Sequence, residues 1–273
     1  MKKNNSILLS TPYIIFMVVF TLIPLGVVGY YALTDPATGA FSLGNLKDLG
    51  QYWGVLWESI LYALISAFIC LLLGYPVAYY IAHRGPVAQK ILYMLVMLPM
   101  CMSFLLRTLA WVGLLQDTGI INNLLGLIGI GPISMIRTPG AVILGMVYNY
   151  LPYMILPLYA IIVKIDNRLI EAAEDLGCNS VQVFTRVILP LSMPGILSGI
   201  TMVFVPAVST FYISQKLGGT DTVLIGDVIE RQFKQGNNAN LGAALSLLLM
   251  ILVFVCTGIM NKLGADEEGG VVV

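Results

Sequence analysis

The side chains that usually carry covalent chemistry are few and scattered in this chain. It has a single histidine, His83, and no spacing among its four cysteines is typical of a zinc site or a disulfide framework: Cys70, Cys101, Cys178 and Cys256. No glycine-rich loop ending in Lys-Ser or Lys-Thr, which would bind a nucleotide phosphate, appears either. We therefore predict no catalytic residue, no metal site and no cofactor in this chain.

The densest group of charges is a short acidic segment whose spacing suits a mechanical device. It reads Glu171-Ala172-Ala173-Glu174-Asp175-Leu176-Gly177 and leads to Val187-Ile188-Leu189-Pro190. Residues 168–176 predict a short amphipathic helix, and Gly177 suits the left-handed residue that ends one. Asn179 and Gln182 have the spacing of a capping box for a second helix running towards Pro190. Helix, glycine and helix together predict a rigid elbow.

An elbow of this kind favours docking on another protein. Its apolar side is predicted to comprise Leu169, Ile170, Ala172, Ala173 and Leu176. The small residues Ala172 and Ala173 would let a partner approach the backbone, and the acidic side chains would set register through charge. The alternative is a helix lying on the membrane surface, but such helices usually carry Lys and Arg on the polar face.

The elements that position this segment are predicted to be membrane helices. The chain has 273 residues, 58% hydrophobic and 10% charged, with a mean hydropathy of +0.90 and zero formal net charge. Soluble domains carry roughly 25% charged residues, so the composition indicates a membrane protein. The neutral balance gives no reason to expect nucleic acid as a partner.

Six apolar stretches approach the ~20 residues that a helix needs to cross a bilayer. They predict an all-α, polytopic protein with spans at about 7–33, 59–82, 91–115, 140–163, 191–213 and 241–260. The first is too long for a signal peptide and predicts an uncleaved helix. Arg107 interrupts the third, and we expect it to pair with a carbonyl or carboxylate. Five prolines are predicted to lie inside these helices: Pro99, Pro152, Pro157, Pro194 and Pro206.

Lys and Arg are distributed unequally between the two sets of loops. One set holds Lys2, Lys3, Arg84, Lys90, Lys164, Arg168, Arg186 and Lys262, and the other holds Lys47, Arg137, Lys216, Arg231 and Lys234. The positive-inside rule then predicts that both termini and the acidic segment are cytoplasmic.

The acidic segment also follows the signature of a known family. Its pattern resembles the cytoplasmic loop of ABC importer permeases. The pattern is EAA, three residues, Gly, nine residues, an aliphatic residue, one residue and Leu-Pro, with Val187 in place of the usual isoleucine. We call residues 164–190 the EAA loop. Further elements look like permeases of spermidine/putrescine importers, over nearly the whole chain: Leu73-Gly74-Tyr75-Pro76, Met193-Pro194-Gly195-Ile196, Phe211-Tyr212-Ile213-Ser214, Gly218-Gly219 and Leu224-Ile225-Gly226.

This resemblance implies a type I ABC importer permease in the cell (inner) membrane: one domain over residues 1–273, with a short cytoplasmic tail at 261–273. It implies coupling to an ATPase through Glu171, Ala172, Ala173, Glu174, Asp175, Gly177 and Pro190. The implied partners are a second homologous permease, an ABC ATPase dimer that binds ATP and Mg²⁺, an extracytoplasmic binding protein and membrane lipid.

A polyamine path would be expected to offer carboxylates and aromatic faces, since cation–π contact is worth roughly 0.5–2 kcal/mol. The candidates in the outer half are Trp111, Asp117, Tyr148, Tyr150, Phe211, Tyr212 and Asp221. Interfacial anchoring or helix packing is the alternative for each aromatic residue, and a solvated loop for each aspartate.

Three other functions remain open from the sequence. An importer for iron, sulfate or another solute would share the EAA loop. A secondary carrier would share broken helices but would leave the acidic elbow without a purpose. An intramembrane enzyme is disfavoured because the predicted apolar cores hold no paired aspartates and no Ser–His pair.

Overall fold

The computed structural model describes residues 12–35, 39–42, 44–220, 222–234 and 238–268, and these are almost entirely helical. The helices in chain order are α1 Pro12–Ala32, α2 Gly44–Asp48, α3 Trp53–Ala82, α4 Pro86–Met97, α5 Phe104–Leu115, α6 Ile120–Leu127, α7 Pro139–Ile162, α8 Asn167–Asp175, α9 Ser180–Val183, α10 Leu189–Val208, α11 Tyr212–Leu217, α12 Ile225–Lys234 and α13 Ala239–Glu268.

Six helical stretches in the described part of the chain are long and apolar enough to cross a membrane, which confirms the predicted fold class. They are Pro12–Ala32, Leu49–Ala82, Phe104–Leu127, Pro139–Ile162, Ser180–Val208 and Ala239–Met260. Residues 7–11 of the predicted first span lie outside the described residues.

The prediction of one continuous third span over residues 91–115 is wrong. The chain leaves α4 through a 3₁₀ turn, Leu98–Cys101, and Met102 and Ser103 adopt extended backbone with ψ of 149° and 130°. Pro99 lies in this turn and has no N–H to continue a helical ladder. The stretch from α5 to α6 is itself interrupted at Gln116, where ψ is 154°.

The chain divides into two units. The first comprises Met1–Gly54 and Val228–Leu252. Within it, Ala32 at the end of α1 is buried against Ala243 and Ala244 of α13. The amide Nδ2 of Asn240 donates to the carbonyl oxygen of Thr34 at 2.7 Å, which satisfies a buried carbonyl just after α1.

The second unit, Val55–Asp227 with Val253–Val273, contains the EAA loop. Its centre is the packing of α10 on α7. A Cβ added to Gly199 would lie 2.6 Å from the Sδ atom of Met154, and one added to Gly195 would lie 3.1 Å from Ile161. The small residues Gly195 and Gly199 of the fifth span therefore allow close helix contact, as in membrane bundles generally.

Prolines lie inside three of these spans. Pro152 and Pro157 lie inside α7, and Pro194 and Pro206 lie inside α10, as predicted. Pro76 lies inside α3 and was not among the predicted internal prolines. Each removes one backbone hydrogen bond and frees a carbonyl.

Candidate functional site

The first half of the EAA loop is a helix with well-defined ends. At its start, Oδ1 of Asp166 accepts the N–H of Arg168 at 3.0 Å. At its end, the N–H of Cys178 donates to the carbonyl of Ala173 and the N–H of Gly177 to that of Glu174, at 3.1 and 2.8 Å. This is a Schellman ending, and Gly177 takes the left-handed conformation that it needs, with φ of +84°.

The second half of the EAA loop begins with the predicted capping box. The N–H of Asn179 donates to Oε1 of Gln182 at 2.9 Å, and the N–H of Gln182 donates to Oδ1 of Asn179 at 2.8 Å. From Ser180 the chain stays helical to Val208, so the second arm of the elbow is continuous with the fifth span. The prediction that this span begins at residue 191 is wrong, because the helix begins at Ser180.

A wide turn lets this helix pass Pro190. Residues Phe184–Ile188 form a π-helical turn, in which the N–H of Leu189 donates to the carbonyl of Phe184 five residues earlier. A proline ring normally clashes with the carbonyl four residues before it, and for Pro190 that residue, Arg186, lies within the π turn. Pro190 is thus accommodated without breaking the arm.

A buried apolar cluster fixes the angle between the two arms. Ala173 of α8 packs with Val183 and Ile188 of the second arm, and Ile170 and Cys178 lie against them. Ala173 is only 9% exposed. Of the two alanines expected to receive a partner, Ala172 is exposed and Ala173 instead packs inside the elbow.

The same cluster joins the EAA loop to α3. The ring of Phe184 lies edge-on to Tyr75, with centroids 5.5 Å apart, and 6.4 Å from Tyr79. The hydroxyl of Ser192 donates to the carbonyl of Leu189, so Tyr75 donates its O–H to Oγ of Ser192 at 2.8 Å. The second arm and α3 are therefore in direct side-chain contact at Tyr75 and Tyr79.

The outward side of α8 combines negative charge with apolar surface. Glu171, Glu174 and Asp175 are all exposed, and none forms a salt bridge with a described residue. Leu176 is 86% exposed and Leu169 about half exposed, on the side that carries Ala172. Apolar side chains so open to solvent mark an interaction surface when they cluster.

The structure separates the candidate path residues into different environments. Trp111 and Tyr148 form an edge-to-face pair with ring centroids 5.4 Å apart. Tyr150 lies two residues beyond Tyr148, roughly 200° round the helix. It is 6% exposed and donates to the carbonyl of Pro206 at 3.3 Å. Tyr148 and Tyr150 therefore do not share a face.

The remaining described candidates contact other side chains or are exposed. Tyr212 packs near Phe104, and the Nζ atom of Lys216 lies 5.7 Å from its ring centroid, so one face of that ring already meets a cation. Phe211 is exposed, and Asp117 is exposed in the break between α5 and α6. Asp221 lies outside the described residues.

Arg107 is buried in α5 and is 7% exposed. Its Nε and Nη1 atoms have no hydrogen-bond partner among the described residues. For these two nitrogens the structure does not show the carbonyl or carboxylate expected from the sequence. A buried guanidinium usually has such a partner because of its desolvation cost.

Sequence reasoning missed the residues that connect the EAA loop to the spans. Tyr75 was noted only within a family-like element, and Phe184 and Ser192 were not noted. The position of Phe184, seven residues after Gly177, is a weak signal of contact with α3, because its partners lie about a hundred residues away in the chain.

Comparison with known proteins places the chain in a family. Residues 70–264 match the family described as binding-protein-dependent transport system inner membrane component. Among the relatives is the spermidine/putrescine transport system permease protein PotB of Haemophilus influenzae, 40% identical over 92% of this chain and 93% of the relative. PotB of Escherichia coli is 39% identical over 87% of this chain and 90% of the relative.

Solved structures show the same fold at lower identity. A bacterial ABC transporter involved in the import of the acidic polysaccharide alginate matches 97% of this chain and 96% of its own, with a TM-score of 0.76 and 20% identity. The MetNI methionine ABC transporter in an inward-facing conformation aligns over 78% of this chain and 94% of its own chain, with a TM-score of 0.60 and 19% identity. The chain therefore belongs to the inner membrane components of binding-protein-dependent transport systems, with the fold of an ABC importer permease.

Proposed function

We propose that this chain is the permease subunit of an ATP-driven importer and forms half of a translocation path for polyamines such as spermidine and putrescine. The observation that carries the proposal is 40% identity to a spermidine/putrescine permease over 92% of the chain. The transporter involved in alginate import, a different solute, is only 20% identical to this chain. The likeness thus favours polyamine over iron or sulfate.

The energy for transport comes, in this proposal, from a separate ATPase dimer that binds ATP and Mg²⁺. The exposed acids and the leucines Leu169 and Leu176 form the docking surface. The Schellman ending and the buried cluster keep the elbow stiff, so a displacement of α8 passes to the second arm and, through Phe184, to α3. This chain itself supplies no catalytic group.

The remaining assembly follows the same proposal. A second homologous permease completes the path, and an extracytoplasmic binding protein delivers the substrate. One related structure is described as bound to an alginate pentasaccharide-bound periplasmic protein, which supports this kind of partner. In this proposal the EAA loop and both termini are cytoplasmic, which the Lys and Arg distribution supports.

Substrate identity is tested by uptake in vesicles containing the assembled transporter. Labelled putrescine or spermidine should accumulate when ATP is present, and unlabelled polyamine should compete. Sulfate and ferric chelates should not compete. Uptake of sulfate or iron without polyamine competition would replace polyamine as the substrate while leaving the permease assignment intact.

Docking is tested separately by copurification in mild detergent. Glu171→Lys reverses one charge on the exposed side of α8, and we expect about tenfold less ATPase to be retained, with a smaller loss at high salt because rim charges are screened. Asp48→Lys reverses an exposed charge outside the EAA loop and should retain the ATPase. Equal retention by both variants would contradict docking through α8.

A further inference from the structure

A polar cavity lies beside the start of the EAA loop. It has a volume of about 590 Å³, within the range of sites for small ligands. Its walls come from the end of α3, the beginning of α4, the end of α7 and the first residues of α8. The side chains that matter here are His83, Arg84, Gln89, Lys164, Asp166 and Asn167.

Several of these side chains are held in place by neighbours. Nδ1 of His83 lies 2.9 Å from the carbonyl oxygen of Tyr79. Nε2 of Gln89 donates to the carbonyl of Ala82 at 2.8 Å, which ties α4 to the end of α3. The guanidinium of Arg84 lies over the ring of Tyr80 at 4.1 Å. The cavity wall is therefore built before any ligand arrives.

The charge of the cavity is predominantly positive. Neither Arg84 nor Lys164 forms a salt bridge with a described residue. The one carboxylate on the wall, Asp166, uses Oδ1 to accept the N–H of Arg168 at 3.0 Å. Arg84 and Lys164 thus lie beside the N-terminal end of α8 without described counterions. Their charges and the helix end create a positive potential that an anion would neutralise.

We propose that this cavity binds a phosphate group, as carried by an anionic phospholipid headgroup or by free phosphate. Arg offers a planar fork to phosphate oxygens and Lys a point charge. Basic pockets between membrane helices near the membrane surface are a known way to hold anionic headgroups. A bound phosphate would link the ends of α3 and α7 to the start of α8 and so fix where the elbow begins.

Binding is measured on the assembled transporter in phosphatidylcholine nanodiscs, by calorimetric titration with short-chain phosphatidylglycerol and, in parallel, with inorganic phosphate. We expect saturable binding of at least one probe. The double variant Arg84→Gln, Lys164→Gln should bind roughly 25-fold more weakly, since each basic residue near a membrane surface contributes about fivefold. Arg84→Lys with Lys164→Arg keeps both charges and should retain binding.

The control is Lys90→Gln, which removes a neighbouring exposed cation that does not line the cavity. Tighter binding of phosphatidylglycerol assigns the site to lipid, and tighter binding of inorganic phosphate assigns it to a free anion. No saturable binding of either probe, or an equal loss in Lys90→Gln, would overturn the inference. If the double variant does not assemble, each single variant should bind about fivefold more weakly. The readout needs neither ATP nor polyamine, so its failure is distinguishable from a failure of the proposed polyamine transport.

Discussion

Gly177 is the residue on which the shape of the elbow most directly depends. Its φ of +84° is costly for any residue with a Cβ, and especially for a β-branched one. An added Cβ would meet no atom within 4 Å, so the cost of a substitution is backbone strain and not a clash.

Gly177→Val should therefore leave membrane insertion intact while abolishing ATP-dependent uptake. Strain of roughly 1–3 kcal/mol favours a different ending for α8 and changes the angle of the elbow. Uptake by reconstituted vesicles and the amount of chain in the membrane are the measurements. Gly177→Asn is the matched variant, because Asn tolerates this conformation, and it should retain part of the uptake. Full uptake by the valine variant would remove the mechanical role of the elbow.

Leu176 is the most exposed large hydrophobic side chain of the EAA loop, at 86%. Leu176→Ser should change the stability of the chain by less than about 0.5 kcal/mol, since it touches little of its own fold. We expect it to lower ATPase copurification several-fold, because the apolar contact is made only in the complex. Val181→Ser, on the other arm and also exposed, is the comparison. A loss confined to Val181→Ser would move the docking surface away from α8.

At the scale of the elements, Phe184 tests whether the elbow transmits motion to the spans. Phe184→Ala removes the ring that contacts Tyr75 and Tyr79 but leaves the exposed side of α8 unchanged. We expect ATPase copurification to persist and uptake per ATP hydrolysed to fall at least tenfold. Thr185→Ala, at the exposed neighbouring position, should have little effect on either quantity. Parallel loss of ATPase binding would show that Phe184 supports docking instead of transmission.

Local chemistry made the EAA loop predictable, and the absence of such local signals explains what was missed. Gly177, Asn179 and Gln182 form contacts within a few residues, so their spacing indicates the ends of both arms. The burial of Ala173 depends on Val183 and Ile188, and the contact of Phe184 with Tyr75 joins residues far apart in sequence. Periodicity cannot reveal which apolar side meets which partner.

The third span shows a different limit of sequence reasoning. Hydropathy over residues 91–115 does not register the 3₁₀ turn at Pro99 or the extended backbone at Ser103. A proline inside an apolar stretch is compatible with both a kink and a break, and Pro152 and Pro157 in α7 are kept within a helix. Neighbouring helices decide between the two outcomes, because only they can satisfy the freed backbone groups.

At the scale of the whole molecule, sidedness is the expectation to test. In a variant whose four cysteines are replaced, Thr185→Cys should react with a membrane-impermeant maleimide only after the cells are opened. Thr118→Cys, exposed between α5 and α6, should react on intact cells. Labelling in detergent checks that a bound ATPase does not hide Thr185→Cys. Reaction of Thr185→Cys on intact cells would place the EAA loop outside and exclude docking on a cytoplasmic ATPase.

The unbroken helix from Ser180 to Val208 has a mechanical consequence. Its 29 residues form a rod of about 43 Å that starts at the capping box and ends next to Pro206, whose carbonyl accepts the hydroxyl of Tyr150. Tilting such a lever about the tight crossing at Gly199 would swing its two tips in opposite directions. A displacement of the capping-box end at one surface of the membrane would thus move the carbonyl of Pro206 near the other surface and change its hydrogen bond with Tyr150.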